Sequence, residues 1–93
     1  MHVTVVLPAP LQPFAGGRTR VELPSEGATV AAVLRALSAS HPGVYDRVAT
    51  EQGELRPHVN LFVDTESIRW TGGLATPVRE GSEVLIVPAV SGG

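Results

Sequence analysis

The sequence predicts a two-layer α+β domain, with four or five strands packed on one helix. Three observations carry this prediction. Short segments near both ends alternate apolar residues at period two. One segment repeats them at helical spacing. Clusters of Pro, Gly and Ser stand between these segments. At 93 residues the chain makes one domain with one modest core.

Val3, Val5 and Leu7 fall on one face of residues 2–7, which read as a strand. Pro8, Pro10 and Pro13 then require a loop, because proline cannot donate to a ladder. Gly16-Gly17 turns the chain into a second strand, Arg18 to Leu23, with Thr19, Val21 and Leu23 on one face. Pro24-Ser25-Glu26-Gly27 breaks it. Thr29 suits an N-cap, its hydroxyl accepting from an early backbone N–H. Val30, Val33, Leu34 and Leu37 follow at i, i+3, i+4 and i+7 and form one apolar stripe. His41-Pro42-Gly43 stops the helix near Ser40.

Residues 44–57 show no clear period and read as an irregular connection. Val59, Leu61 and Val63 share a face of a third strand, residues 58–63. Asp64-Thr65-Glu66 turns into a short strand, Ser67 to Trp70, and Gly72-Gly73 turns again. Thr76-Pro77 leads to a further turn at Arg79-Glu80-Gly81-Ser82. Glu83 to Val87 is apolar on both faces at Val84, Leu85, Ile86 and Val87, as a central strand should be. The order is β-β-α-β-β-β.

Composition narrows the function. The chain has no cysteine, hence no disulfide, thiolate metal site or cysteine nucleophile. A net charge of −2 with no basic block argues against nucleic acid as a partner. The absence of a signal pattern and of a long apolar run points to a cytoplasmic protein with no membrane partner. His2, His41 and His58 lack metal-ligand spacing, so no metal is expected. Asp64 and Glu66 read as turn residues rather than a catalytic pair. Neither glycine pair is a phosphate loop, since neither precedes a helix. Glu80 and Glu83 read as solvated turn charges or as contacts for a basic partner. No self-contained catalytic constellation remains, and the chain is expected not to be an enzyme.

The positive signal lies at the C-terminus. Strand chemistry runs to Pro88, and Ala89, Val90 and Ser91 then lead to Gly92-Gly93. Glycine has no Cβ, so a narrow tunnel can close around such a stalk and reach the α-carboxylate of Gly93. Residues 89–93 would reach about 17 Å if extended at ~3.4 Å per residue. All seven cations are arginine and lysine is absent. Apart from the α-amine of Met1, the chain therefore has no amine with which to attack an activated Gly93.

The stretch Leu74 to Gly93, ending Leu85-Ile86-Val87-Pro88-Ala89-Val90-Ser91-Gly92-Gly93, resembles the C-terminal signature of the ubiquitin-like sulfur carriers of the MoaD/ThiS family. Three segments in order are similar to the actinobacterial CysO-type carriers of cysteine biosynthesis within that family. They are Arg56-Pro57-His58-Val59-Asn60-Leu61-Phe62-Val63-Asp64, Ile68-Arg69-Trp70-Thr71-Gly72-Gly73-Leu74-Ala75-Thr76 and Pro88 to Gly93. Two departures set the chain apart from molybdopterin carriers. Ala89 stands where they usually have a second proline, and Ser82 follows Gly81 where they usually have Asp.

The resemblance implies a β-grasp domain over residues 1–88, with a four- to five-stranded mixed sheet on one main helix, and a flexible tail over 89–93. It implies that Gly93 is adenylated by an E1-like enzyme that consumes ATP, and that a thiocarboxylate forms there. No cofactor would be bound by the chain itself. The sulfur acceptor would be a pyridoxal-phosphate-dependent cysteine synthase or a thiosugar synthase, with a JAMM-type metalloprotease as a further partner. The alternatives are a molybdopterin-synthase small subunit and a protein modifier that forms isopeptide conjugates. Docking to partners is expected at an exposed apolar patch near the tail. Phe62 and Trp70 are its candidate residues, with core packing as the competing role for each.

Overall fold

A computed structural model of the chain describes residues 1–25 and 27–88. Glu26 and the sequence-derived tail, Ala89, Val90, Ser91, Gly92 and Gly93, lie outside the described residues. Five strands form one mixed sheet: β1 (His2–Val6), β2 (Arg20–Pro24), β3 (Val59–Val63), β4 (Glu66–Ser67) and β5 (Glu83–Pro88). Two helices, α1 (Val30–Ser40) and α2 (Pro42–Val48), cover one face of it. The strand order is β2-β1-β5-β3-β4. β1 and β5 are parallel, and every other pair is antiparallel.

The periodicity of each segment decides its buried face. Val3 and Val5 of β1, Val21 and Leu23 of β2, and Val59, Leu61 and Val63 of β3 all turn inward. Register places Leu61 opposite Ile86 and Val63 opposite Val84, so the central strands share one apolar layer. Val30, Val33, Leu34 and Leu37 of α1 close over it, all buried. Thr29 caps the helix, its Oγ1 accepting from the Ala32 N–H at 3.3 Å. The loop before β5 clamps the same helix end. Val30 N donates to Thr76 O and Val78 N to Ala28 O, both at 2.9 Å.

Four local readings need correction. Residues 44–57 are not wholly irregular, because α2 occupies Pro42–Val48. Pro42 stops α1, but its fixed φ and missing N–H suit the first turn of a new helix. Val44 and Val48, four apart, give that helix its buried side. The proline-rich loop is a 3₁₀ helix over Ala9–Ala15 that buries Leu11 and Ala15. The second strand begins at Arg20 rather than Arg18, and Thr19 is exposed. The strand expected over Ser67 to Trp70 ends at Ser67. A 3₁₀ helix, Ile68–Trp70, replaces it, and it buries Ile68 alone.

Asp64 and Ser82 brace the start of β5. The Asp64 carboxylate accepts from the Glu83 N–H at 2.9 Å and from the Ser82 hydroxyl at 3.1 Å, while Ser82 Oγ accepts from the Arg79 N–H at 2.9 Å. Asp64 thus serves the turn, and Ser82 is buried to complete the brace. The two-residue turn Asp64-Thr65 has φ of +47° and +84°. A β-branched residue is strained there, where tight hairpins prefer glycine.

Two stability effects are expected. Thr65→Gly should raise the unfolding free energy by about 0.5–1 kcal/mol, since relief of left-handed strain outweighs glycine's extra unfolded-state entropy. Asp64→Ala should lower it by about 1–3 kcal/mol by leaving the Glu83 N–H and the Ser82 hydroxyl without their acceptor. Urea unfolding of both variants checks this; a destabilised Thr65→Gly would show that the turn carries no strain.

Candidate functional site

The site is the point where the chain leaves the sheet. β5 runs between β1 and β3, so its last residue emerges from the middle of the domain. Pro88 sits in register with Val59 but brings no N–H to the ladder. The Val59 N–H donates to Arg56 O at 3.0 Å, so it takes no part in the pairing with β5. Pro88 is the last residue of β5 and the last described residue before Gly92-Gly93 in the sequence.

One flank of this exit is the face of the sheet that no helix covers. Val6 of β1, Leu85 of β5 and Phe62 of β3 lie in register across it, and Val87 flanks Phe62 one step nearer the exit. Leu85 is 38% exposed; Phe62, Val6 and Val87 are half-buried. Phe62, Leu85 and Val87 line a shallow hollow rimmed by Asp64 and Glu83. Glu83 pairs with Arg20 across the strands, an exposed pair worth little by itself. Glu80 accepts from the His2 N–H at 3.1 Å and so helps hold the β1 end of the sheet.

The structure thus places Phe62 on the open face and leaves Trp70 84% exposed, outside that hollow. The expected apolar cover on both faces of β5 is corrected. Val84 and Ile86 are buried, whereas Leu85 points to the open face. Leu85 and Val87 were missed as surface residues for this reason. The signal against that reading was available, because one layer of helix covers only one face of a sheet.

The other flank holds residues that no sequence pattern singled out. Arg47 of α2, and Arg56 and His58 from the segment before β3, gather around a groove that Pro88 itself lines. Asp46 is the one carboxylate of that groove. Arg47 stacks 3.6 Å from the centroid of the Phe14 ring and donates to Gly43 O at 3.1 Å. Arg56 Nε donates to Asp46 O at 2.8 Å.

No cluster of three His, Asp or Glu able to hold a metal occurs among the described residues. No helix among them is long and apolar enough to cross a membrane. His41 Nδ1 lies 2.9 Å from Ser40 Oγ, between the two helices. The remaining histidines, His2 and His58, are exposed.

The two kinds of apolar residue should separate in stability measurements. Leu61→Ala, at a site with no exposure, should cost about 2–5 kcal/mol. Trp70→Ala and Leu85→Ser should each cost under about 1 kcal/mol, as surface substitutions do. A loss for Trp70→Ala as large as that for Leu61→Ala would assign Trp70 to the core.

Comparison with known proteins gives this geometry its relatives. Residues 5–93 match the model of the ThiS family. The chain is 40% identical over 95 residues to the sulfur carrier protein CysO of Mycobacterium tuberculosis, covering all of both chains. The crystal structure of that organism's CysO superposes with a TM-score of 0.82 at 39% identity, over 95% of this chain and 99% of the other. A chain in the Amycolatopsis orientalis BexX/CysO complex superposes with a TM-score of 0.84 at 35% identity, over 98% and 99% of the two chains. The small archaeal modifier protein 1 (SAMP1) of Haloferax volcanii gives 0.83 at 33% identity over the whole of both. The sheet order, the helix packed on one face and these matches together establish that the chain belongs to the ThiS family of ubiquitin-like, β-grasp sulfur carriers.

Proposed function

We propose that this protein carries sulfur as a thiocarboxylate on the α-carbonyl of Gly93 and is a co-substrate of other enzymes rather than an enzyme. The observation that carries the reading is the position of β5. The strand that precedes Gly92-Gly93 is the central strand of the sheet, ends in Pro88 and opens beside an uncovered apolar face. A folded body is thereby tied directly to the reactive end of the chain. The full-length similarity to a sulfur carrier supports the same reading.

A carboxylate is a poor electrophile, so activation must come first. In the proposed sequence an E1-like partner joins Gly93 to the AMP moiety of ATP, releasing pyrophosphate. Hydrosulfide then attacks the acyl carbon and AMP leaves, giving –CO–S⁻. This soft nucleophile attacks an electrophile presented by an acceptor enzyme. A pyridoxal-phosphate-dependent cysteine synthase and a thiosugar synthase are the acceptors proposed, and a JAMM-type metalloprotease would free the carrier from a product left attached to it. That a relative was crystallised in complex with BexX supports action through a second protein. We place the reaction in the cytoplasm, with the ATP it consumes.

The chain's own contributions are recognition and access. Phe62, Leu85 and Val87 offer apolar area beside the exit, and Trp70 offers a separate aromatic anchor. Specific contacts concentrate their energy in such groups. Gly92 and Gly93 carry no side chain to obstruct a narrow catalytic channel.

A second reading, a modifier joined to lysines of target proteins, is favoured by the similarity to small archaeal modifier protein 1. It uses the same adenylate. Conjugates of higher mass in extracts, absent when Gly93 is deleted, would select it.

Incubation with the activating enzyme of its own organism, ATP and sulfide should exchange one oxygen of Gly93 for sulfur, read by intact mass. No mass change with any such enzyme would overturn the carrier reading. Gly92→Val should keep the melting temperature and stop adenylation, because a β-branched residue thickens and stiffens the stalk. Turnover of this variant at the wild-type rate would show that the partner's channel is wide.

A further inference from the structure

The groove beside Pro88 reverses the sign of the whole molecule. The chain carries nine acidic residues against seven arginines. Here two arginines and a histidine, Arg47, Arg56 and His58, face one carboxylate, Asp46. The hollow is about 640 Å³ and open to solvent. Neither Arg47 nor Arg56 has a carboxylate partner among the described residues.

Both guanidiniums are held in place without being used up. Arg47 is fixed by the Phe14 ring and by one hydrogen bond to Gly43 O. Arg56 is fixed by its Nε–H on Asp46 O. A guanidinium carries five N–H donors, so each keeps four for a partner. Their side-chain entropy is already restricted, which lowers the cost of forming new bonds.

We propose that this groove binds a carboxylate-bearing, partly apolar segment of the E1-like activating enzyme that adenylates the tail. The inference rests on the carrier reading, because the occupant belongs to that enzyme. Position is the first argument. Pro88 lines the groove and only five residues separate it from the end of the sequence, so an enzyme that takes up Gly93 works within about 17 Å of this surface. Charge is the second, since the unpaired guanidiniums match carboxylates. Chemistry separates this occupant from a phosphate. Asp46 stands within the groove and repels a multiply charged phosphate more than a single carboxylate. The backbone N–H groups of Arg56 and Val59 are spent on Val48 O and Arg56 O, so no nest of donors is left for phosphate oxygens. Pro10 and Pro88 add an apolar rim, which favours a peptide with a side chain to cover it.

The groove and the open sheet face flank the same exit with opposite character. One is basic, and the other is apolar with Asp64 and Glu83 at its rim. A partner that matches both is oriented by them before the tail enters.

The test is pyrophosphate exchange catalysed by the activating enzyme of the same organism, with the carrier varied at low and high salt. Arg56→Glu and His58→Glu together should raise KM about tenfold at low salt and leave kcat unchanged, with the gap narrowing as salt screens the charges. Asp46→Asn should lower KM, a direction that damage to the fold does not produce. Wild-type exchange with KM unchanged in all variants would overturn this inference and leave the carrier reading standing. No exchange with the wild type would overturn both. Titration of ¹⁵N-labelled protein with inorganic pyrophosphate alone provides the second arm. Shifts confined to Arg47, Arg56 and His58 would assign the groove to a nucleotide phosphate and overturn the proposal; unchanged spectra support it.

Discussion

The pairing of β5 between β1 and β3 is the constraint on which the rest of this molecule depends. β5 joins the two halves of the sheet, parallel to β1 on one side and antiparallel to β3 on the other. Without it, the β1–β2 and β3–β4 hairpins share no hydrogen bonds. Val84 and Ile86 then supply the middle of the apolar layer under α1. The segment nearest the C-terminus is thus also the one that completes the core. Under the proposed function, the chain end that reacts would be presented by a finished domain. The same pairing joins elements from opposite ends of the chain, and such non-local contacts form late and slowly in folding.

Several smaller devices serve this strand. The Asp64 carboxylate and the Ser82 hydroxyl hold its first residues against the β3–β4 turn. The clamp of Thr76 and Val78 on Val30 and Ala28 fixes the preceding loop to the helix end. Pro88, the last residue of β5, brings no donor to the ladder. Ser82 shows how a departure from a family pattern is accommodated. A buried hydroxyl with both an acceptor and a donor partner carries no unsatisfied polar atom.

The surface follows from the same architecture. The two helices cover only one face of the sheet, so the apolar residues of β5 are divided. Val84 and Ile86 go to the core and Leu85 to solvent. The end of β5, in the middle of the sheet, then lies between an apolar face and a basic groove. Val87 thus borders the apolar hollow and Pro88 the basic groove, two surfaces of opposite character at the end of one strand.

The sequence by itself determined the inward faces. Period-two alternation in Val3-Val5 and Val59-Leu61-Val63, and 3.6-residue spacing from Val30 to Leu37, are local properties that any compact solution must respect. The Thr29 cap was legible for the same reason, and so were the terminal glycines. Tertiary structure decided what depends on partners distant in the chain. It divided the two faces of β5, because burial of Leu85 depends on how many layers cover the sheet. It made Pro42 a helix start as well as a stop, because Val44 and Val48 had a core to bury into. It ended β4 at Ser67, because Ile68 reaches the core from a 3₁₀ turn. It also gathered Arg47, Arg56 and His58, which share no period or motif and become neighbours only when α2 and the segment before β3 pack beside the end of β5.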